Sequence, residues 1–159
     1  MVGGDMTKSS NGVLAMIDEI AVQQTINRYS DGASRRDWER VLSTFTSDAT
    51  WEIPTFGVVF REHGVIRDAM AGFVAQMAYW VQINAPALIT VNGDRANARS
   101  TIRECGKFAD RDEALEVLGY YEDELKRTEQ GWKFTRRVFH ALGQHRFALL
   151  KTEPLQPPA

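Results

Sequence analysis

The chain has 159 residues, of which 43% are hydrophobic and 25% charged, and a formal net charge of -2, which is the size and balance of one globular domain. With 19 Lys and Arg against 21 Asp and Glu it carries no basic footprint for nucleic acid, and no stretch approaches the ~20 apolar residues that cross a bilayer. A single cysteine, Cys105, and three scattered histidines, His63, His140 and His145, exclude an internal disulfide and a cysteine-built zinc site, and argue against any protein-built metal centre.

Residues 1–12 are polar and read as a flexible arm, without the basic start and apolar run of a signal peptide. With the lone cysteine, this makes the cytoplasm the expected location. Residues 13–150 read as a single domain, and 151–159, with Pro154, Pro157 and Pro158, as an extended tail. Val22, Ile26, Tyr29 and Ala33 step by four, three and four, which aligns them on one face of a first helix. Trp38, Val41, Leu42 and Phe45 give a second, shorter amphipathic segment. Alternation then marks a strand, with Ala49, Trp51 and Ile53 on one face and Thr50 and Glu52 on the other, ended by Pro54. Ile66, Met70, Phe73, Met77 and Trp80 repeat at helical spacing and predict a third helix beginning near Gly64. A β-branched run over 86–92 leads into Asn92-Gly93-Asp94, a strong hairpin signal. The next strand puts Ala96, Ala98, Ser100, Ile102 and Glu104 on one face, provided no bulge intervenes. Another covers 119–128, with Tyr121, Asp123 and Leu125 together. After the Glu129-Gln130-Gly131 turn, a last strand runs from Trp132 to about Leu142. Helices grouped before a meander imply an α+β domain, its helices covering one face of a curved sheet.

This order, with the residues Tyr29-Ser-Asp-Gly-Ala-Ser-Arg-Arg-Asp37-Trp38, Phe45-Thr-Ser-Asp48-Ala49-Thr-Trp51, Gly119-Tyr-Tyr121-Glu-Asp123-Glu-Leu125 and Gly131-Trp132-Lys-Phe134-Thr-Arg-Arg137, resembles the SnoaL-like branch of the nuclear transport factor 2-like superfamily. The resemblance spans about Ile17 to Leu142. It implies a cone: a strongly bent, mostly antiparallel sheet wrapped around N-terminal helices, with a pocket at the open end for a small apolar or aromatic ligand. It also implies a homodimer or homotrimer. Members similar to scytalone dehydratase, bile-acid dehydratase, hexachlorocyclohexane dehydrochlorinase and ketosteroid isomerase are lyases or isomerases that need no cofactor. Others are non-catalytic, such as the small subunits of ring-hydroxylating dioxygenases, so the fold alone does not decide function.

The resemblance also fixes what is missing. The dehydratase-type members use a His–Asp dyad, and its two positions fall here on Ser34 and Val81, with Gln82 and Asn84 beside the latter. The ketosteroid isomerase base falls on Ile53. Chemistry then rests on other groups. Tyr29 interrupts an apolar helix face with a hydroxyl, which either packs structurally or donates to a developing oxyanion. Asp123, on an inward strand face, matches the protonated Asp of the isomerase oxyanion hole and is either a proton-transfer group or an anchor of the cone. Glu104 looks into the cavity if its strand has no bulge, and is then the candidate base. Arg137 either binds an anionic or phenolic oxygen or pairs with Asp123 or Glu122. His140 is the only histidine near a strand end that could approach the pocket mouth. Trp51, Phe73, Trp80 and Tyr121 are the candidate aromatic lining. The expected activity is a cofactor-independent lyase or isomerase on a small apolar or aromatic oxygenated molecule; the alternative is a ligand-binding or auxiliary subunit.

Overall fold

The computed structural model describes residues 4–150, with side chains from Gly12 onward. Helix α1 (Gly4–Arg35) is followed by α2 (Trp38–Ser43), β1 (Phe45–Ile53), a single 3-10 turn (Pro54–Phe56), β2 (Val58–Arg61), α3 (His63–Val74) and β3 (Met77–Asn84). Four further strands follow among the described residues: β4 (Leu88–Asn92), β5 (Arg95–Phe108), β6 (Glu113–Thr128) and β7 (Gly131–Ala148). All seven strands form one sheet in the order β2-β1-β7-β6-β5-β3, with β4 also on β5. Only β1 and β7 run parallel; the other pairs are antiparallel. The domain is therefore α+β, and the long β5–β6–β7 meander curls around α1, which packs against β3, β4 and β7. No helix among the described residues is long and apolar enough to cross a membrane.

The predicted inner face of α1 is the core: Val22 and Ile26 are fully buried, with Tyr29 and Ala33 nearly so. They meet Phe45, Ala49 and Trp51 of β1, the Ala96–Ala98–Ile102 face of β5, and Phe134 of β7 in one continuous cluster. Gly93 and Asp94 turn β4 into β5, the glycine at φ +60°, a left-handed conformation that costs a residue without Cβ nothing. Asp37 caps α2 by accepting the Arg40 amide at 3.1 Å.

Several elements differ from the sequence-based expectation. Backbone helix begins at Gly4, so most of the expected arm over 1–12 belongs to α1; no proline before residue 54 stops the helix from extending N-terminally. Phe45 starts β1 rather than ending α2, because the Thr44 hydroxyl and amide close the short helix onto Val41 O. Helix α3 ends at Val74, and Met77 and Trp80 belong to β3. A bulge between Met77 and Tyr79 inserts one extra residue against β5, so two residues three apart both face inward and imitate helical spacing. Strand β2 pairs Phe60 with Trp51 and was not anticipated. β6 and β7 run well past the expected limits, pairing Glu113 with Ala148 at their far end. The proposed tail over 151–159 lies outside the described residues.

Candidate functional site

At the open end of the cone lies a cavity of about 380 Å³. Tyr29 and Ala33 of α1 and Trp38 of α2 form one side. Trp51 and Ile53 of β1, Met70, Phe73 and Val74 of α3, and Trp80 of β3 form the apolar wall. Leu115, Val117 and Tyr121 of β6, and Phe139 with Ala141 to Gln144 of β7, supply most of the rest, with Thr55 and Phe56 at the mouth. Gln82 and Glu104 bring the polar end. Among the described residues no lysine, arginine or histidine lines it, and Glu104 is its one carboxyl.

Glu104 is 8% exposed and belongs to the unbroken alternation Ala96, Ala98, Ser100, Ile102, Glu104, all buried. The β5–β6 register has no shift along its length, so nothing turns Glu104 away from the cavity. Its direct cross-strand partner on β3 is Gln82, whose Nε2 donates to Glu104 Oε1. Burial pushes the Glu104 carboxyl up to about 7, with the Gln82 hydrogen bond and the Arg137 charge pulling the other way.

Beside it, the hydroxyls of Tyr29 and Tyr121 lie 3.3 Å apart, both rings buried. One hydroxyl donates to the other, which leaves the second proton of the pair available to a ligand. Burial raises the Tyr29 phenol to about 12, opposed by Arg137, and holds Tyr121 well above its ordinary value. Both are therefore neutral donors at any physiological pH.

Arg137 and Asp123 lie behind these phenols. A bulge between Glu124 and Leu125 gives β7 one extra residue, Thr135, and so shifts the inward face from Trp132 and Phe134 to Arg137 and Phe139. The guanidinium is fully buried, 3.6 Å from Asp123 Oδ1. Its carbon sits 3.8 Å from the Tyr121 ring centre, 3.9 Å from that of Tyr29 and 4.4 Å from that of Phe134. Burial pushes Asp123 up to about 7 against the opposing pull of Arg137. Neither residue lines the cavity, and Arg137 takes the other arrangement expected of it, the pairing with Asp123. The two rings stand between them and the open space.

His140 is also placed away from the site. Tyr121 pairs with Phe139 and Tyr120 with His140, so alternation sends Tyr121 and Phe139 inward and His140 to the outer face. There its ring stacks on Tyr120 at 4.6 Å and its Nε2 lies 3.1 Å from Glu122 Oε2. Of the sequence-derived candidates, Tyr29, Glu104, Trp51, Phe73, Trp80 and Tyr121 come together around the cavity. Gln82 is a polar member to which the sequence gives no role; it sits one residue from Val81, the dyad-histidine position, and β3 turns Val81 outward. The other dyad position, Ser34, accepts the Gln82 backbone N–H at 2.9 Å, while the Asn84 side chain donates to Ser30. Ser34 and Ser30 thus fasten β3 to α1. No cluster of metal-ligating residues occurs among the described residues.

A SnoaL-like domain model matches residues 15–138. An uncharacterised protein of Mycobacterium tuberculosis is 25% identical over 134 residues, covering 84% of this chain and 91% of its own length. Among solved structures, a Novosphingobium aromaticivorans protein assigned as an aromatic ring hydroxylase is 28% identical, with a TM-score of 0.74 over 84% of this chain and 94% of that one. The hexachlorocyclohexane dehydrochlorinase of Novosphingobium barchaimii gives a TM-score of 0.77 at 17% identity, over 88% and 97%. A protein of N. aromaticivorans assigned as a scytalone dehydratase gives 0.75 at 16%, over 91% and 97%. The last two show a shared fold.

Proposed function

The chain belongs to the SnoaL-like domain family, and from that premise we propose that it is a cofactor-independent lyase or isomerase acting on a neutral, apolar or aromatic oxygenated small molecule. The observation that carries this reading is Glu104, a buried carboxyl on the cavity wall whose proton affinity lies near neutrality. A base poised near the working pH exchanges protons most effectively. Glu104 takes a proton from carbon next to a carbonyl, and the C–H electron pair moves through the new C=C bond onto the carbonyl oxygen. The free proton of the Tyr29–Tyr121 pair donates a hydrogen bond to that oxyanion. Protonated Glu104 then returns the proton to another carbon, giving an isomer, or to a β-hydroxyl that leaves as water. A lining without cationic side chains favours a neutral ligand over a carboxylate or phosphate.

The test is exchange of the α-protons of 2-tetralone in D2O, a neutral bicyclic ketone, followed by proton NMR. Wild-type protein accelerates exchange, and Glu104→Gln reduces that acceleration by at least ~10²-fold. Exchange at the buffer rate, or unaffected by Glu104→Gln, would count against the proposal. A second reading, a binding-only or auxiliary subunit, draws on Ser34 and Val81 in the dyad positions and on the similarity to the aromatic ring hydroxylase. It predicts saturable quenching of tryptophan fluorescence by 2-naphthol with no exchange of 2-tetralone.

A further inference from the structure

Gln82 holds one end of its amide against the Glu104 carboxyl and leaves the other unused. Nε2 donates to Glu104 Oε1, while Gln82 Oε1 is buried without a hydrogen-bond partner. A buried amide acceptor left without a partner costs free energy. The backbone behind it is fixed: Gln82 is paired with Glu104 across β3 and β5, and its N–H is bound to Ser34. Only the side-chain torsions are free to change. The observed orientation suits an ionised Glu104, because the opposite one would set the amide oxygen against the carboxylate. A protonated Glu104 reverses that preference, since its O–H is a donor and needs an acceptor.

We propose that Gln82 is a positioning residue that turns its amide over as Glu104 gains and loses its proton. Nε2 serves the carboxylate and Oε1 serves the acid, so the carboxyl keeps its place in the cavity through both halves of a proton-transfer cycle. This rests on Glu104 being the proton carrier. Other titratable groups face Glu104 from the elements around it: Tyr29 from α1, Tyr121 from β6 with Asp123 behind it, and Arg137 from β7. The two phenols keep their protons across the range in question. Asp123 is raised into the same range but makes no hydrogen bond to Gln82 or Glu104, so Glu104 is the titrating group in contact with Gln82.

The experiment is an NMR pH titration of the full chain labelled with 13C-glutamate and 15N-glutamine, without ligand, from about pH 3.5 to 9. Glu104→Gln and Gln82→Met spectra assign the two signals. In wild-type protein the Gln82 side-chain amide protons shift with the same midpoint as the Glu104 carboxyl carbon. In Glu104→Gln they lose their pH dependence. In Gln82→Met, which keeps the apolar bulk, the Glu104 midpoint rises by about one pH unit, because a charge-assisted donor to the ionised form is gone. A Gln82 amide that stays unchanged while Glu104 titrates overturns the inference, as does an unmoved Glu104 midpoint in a folded Gln82→Met. The wild-type co-titration stands by itself if that variant does not fold. A Glu104 midpoint near that of an ordinary glutamate, with Gln82 following it, instead removes Glu104 as a neutral-pH proton carrier and leaves the coupling intact.

Discussion

Replacing Glu104 with glutamine removes a charge that the fold holds at a cost, and the size of that cost follows from its surroundings. A carboxyl raised from 4.5 to about 7 favours its neutral form in the native state by about 3 kcal/mol. Between those two pH values the native protein retains a proton that the unfolded chain has released. Stability therefore falls as pH rises through this window, and the deficit is complete above about pH 8. Asp123 is also raised and acts in the same direction, but it is present in both proteins and drops out of the comparison. Urea unfolding of wild type and Glu104→Gln at pH 5, 6, 7 and 8 isolates the Glu104 share. The variant should match wild type at pH 5 and exceed it by up to about 3 kcal/mol at pH 8. That figure is an upper bound, because the carboxyl faces a cavity open to solvent. Two curves that run parallel over this range would refute the assignment of Glu104 as a desolvated carboxyl.

Two further substitutions probe how the site is supported. Arg137→Met leaves Asp123 buried without its cation and should cost about 3–5 kcal/mol at pH 8, less at pH 5 where the acid is neutral, and Arg137→Met with Asp123→Leu should recover much of it by denaturant unfolding. Gly119→Ala would set a Cβ 2.5 Å from His140 O and 2.5 Å from the Phe139 ring, at the bulge where β7 bends; thermal unfolding should show a loss of about 1–3 kcal/mol, and 2-naphthol binding should weaken as Phe139 shifts in the cavity wall.

What the sequence made legible follows from where strand and helix periods run uninterrupted. The α1 face through Val22, Ile26, Tyr29 and Ala33 and the β5 face ending at Glu104 were both readable because no irregularity breaks either period. Around the site, the features that escaped have a bulge beside them. The extra residue at Ala78 made Met77 and Trp80 look helical and hid β3, and with it Gln82. The extra residue at Thr135 turned Arg137 into the core, a change of face that alternation from Trp132 does not supply. His140 needed the β6–β7 register: once Asp123 is known to face Arg137 across the ladder, Phe139 goes inward and His140 outward. A bulge is a tertiary compromise between two strands of unequal length, so one strand's residues do not announce it.

The placement of Arg137 changes what the loss of the dyad means. A site that generates an oxyanion needs hydrogen-bond donors or positive charge aimed at it, and among the described residues the cavity lining offers no cation. The guanidinium instead lies on the faces of Tyr29 and Tyr121, within 4 Å of both ring centres, with its own counter-charge on Asp123. A cation on the ring face draws electron density from the phenol and lowers the cost of placing negative charge at its oxygen, which is the direction of its effect on Tyr29. On the proposed reading, Arg137 thus acts through the two hydroxyls and never touches substrate. Its charge strengthens the donors while leaving the open space free of any group that would bind an anion outright. Such an arrangement discriminates by timing: it gives a neutral ligand little until negative charge develops on its oxygen, which is the condition for stabilising a transition state over a ground state.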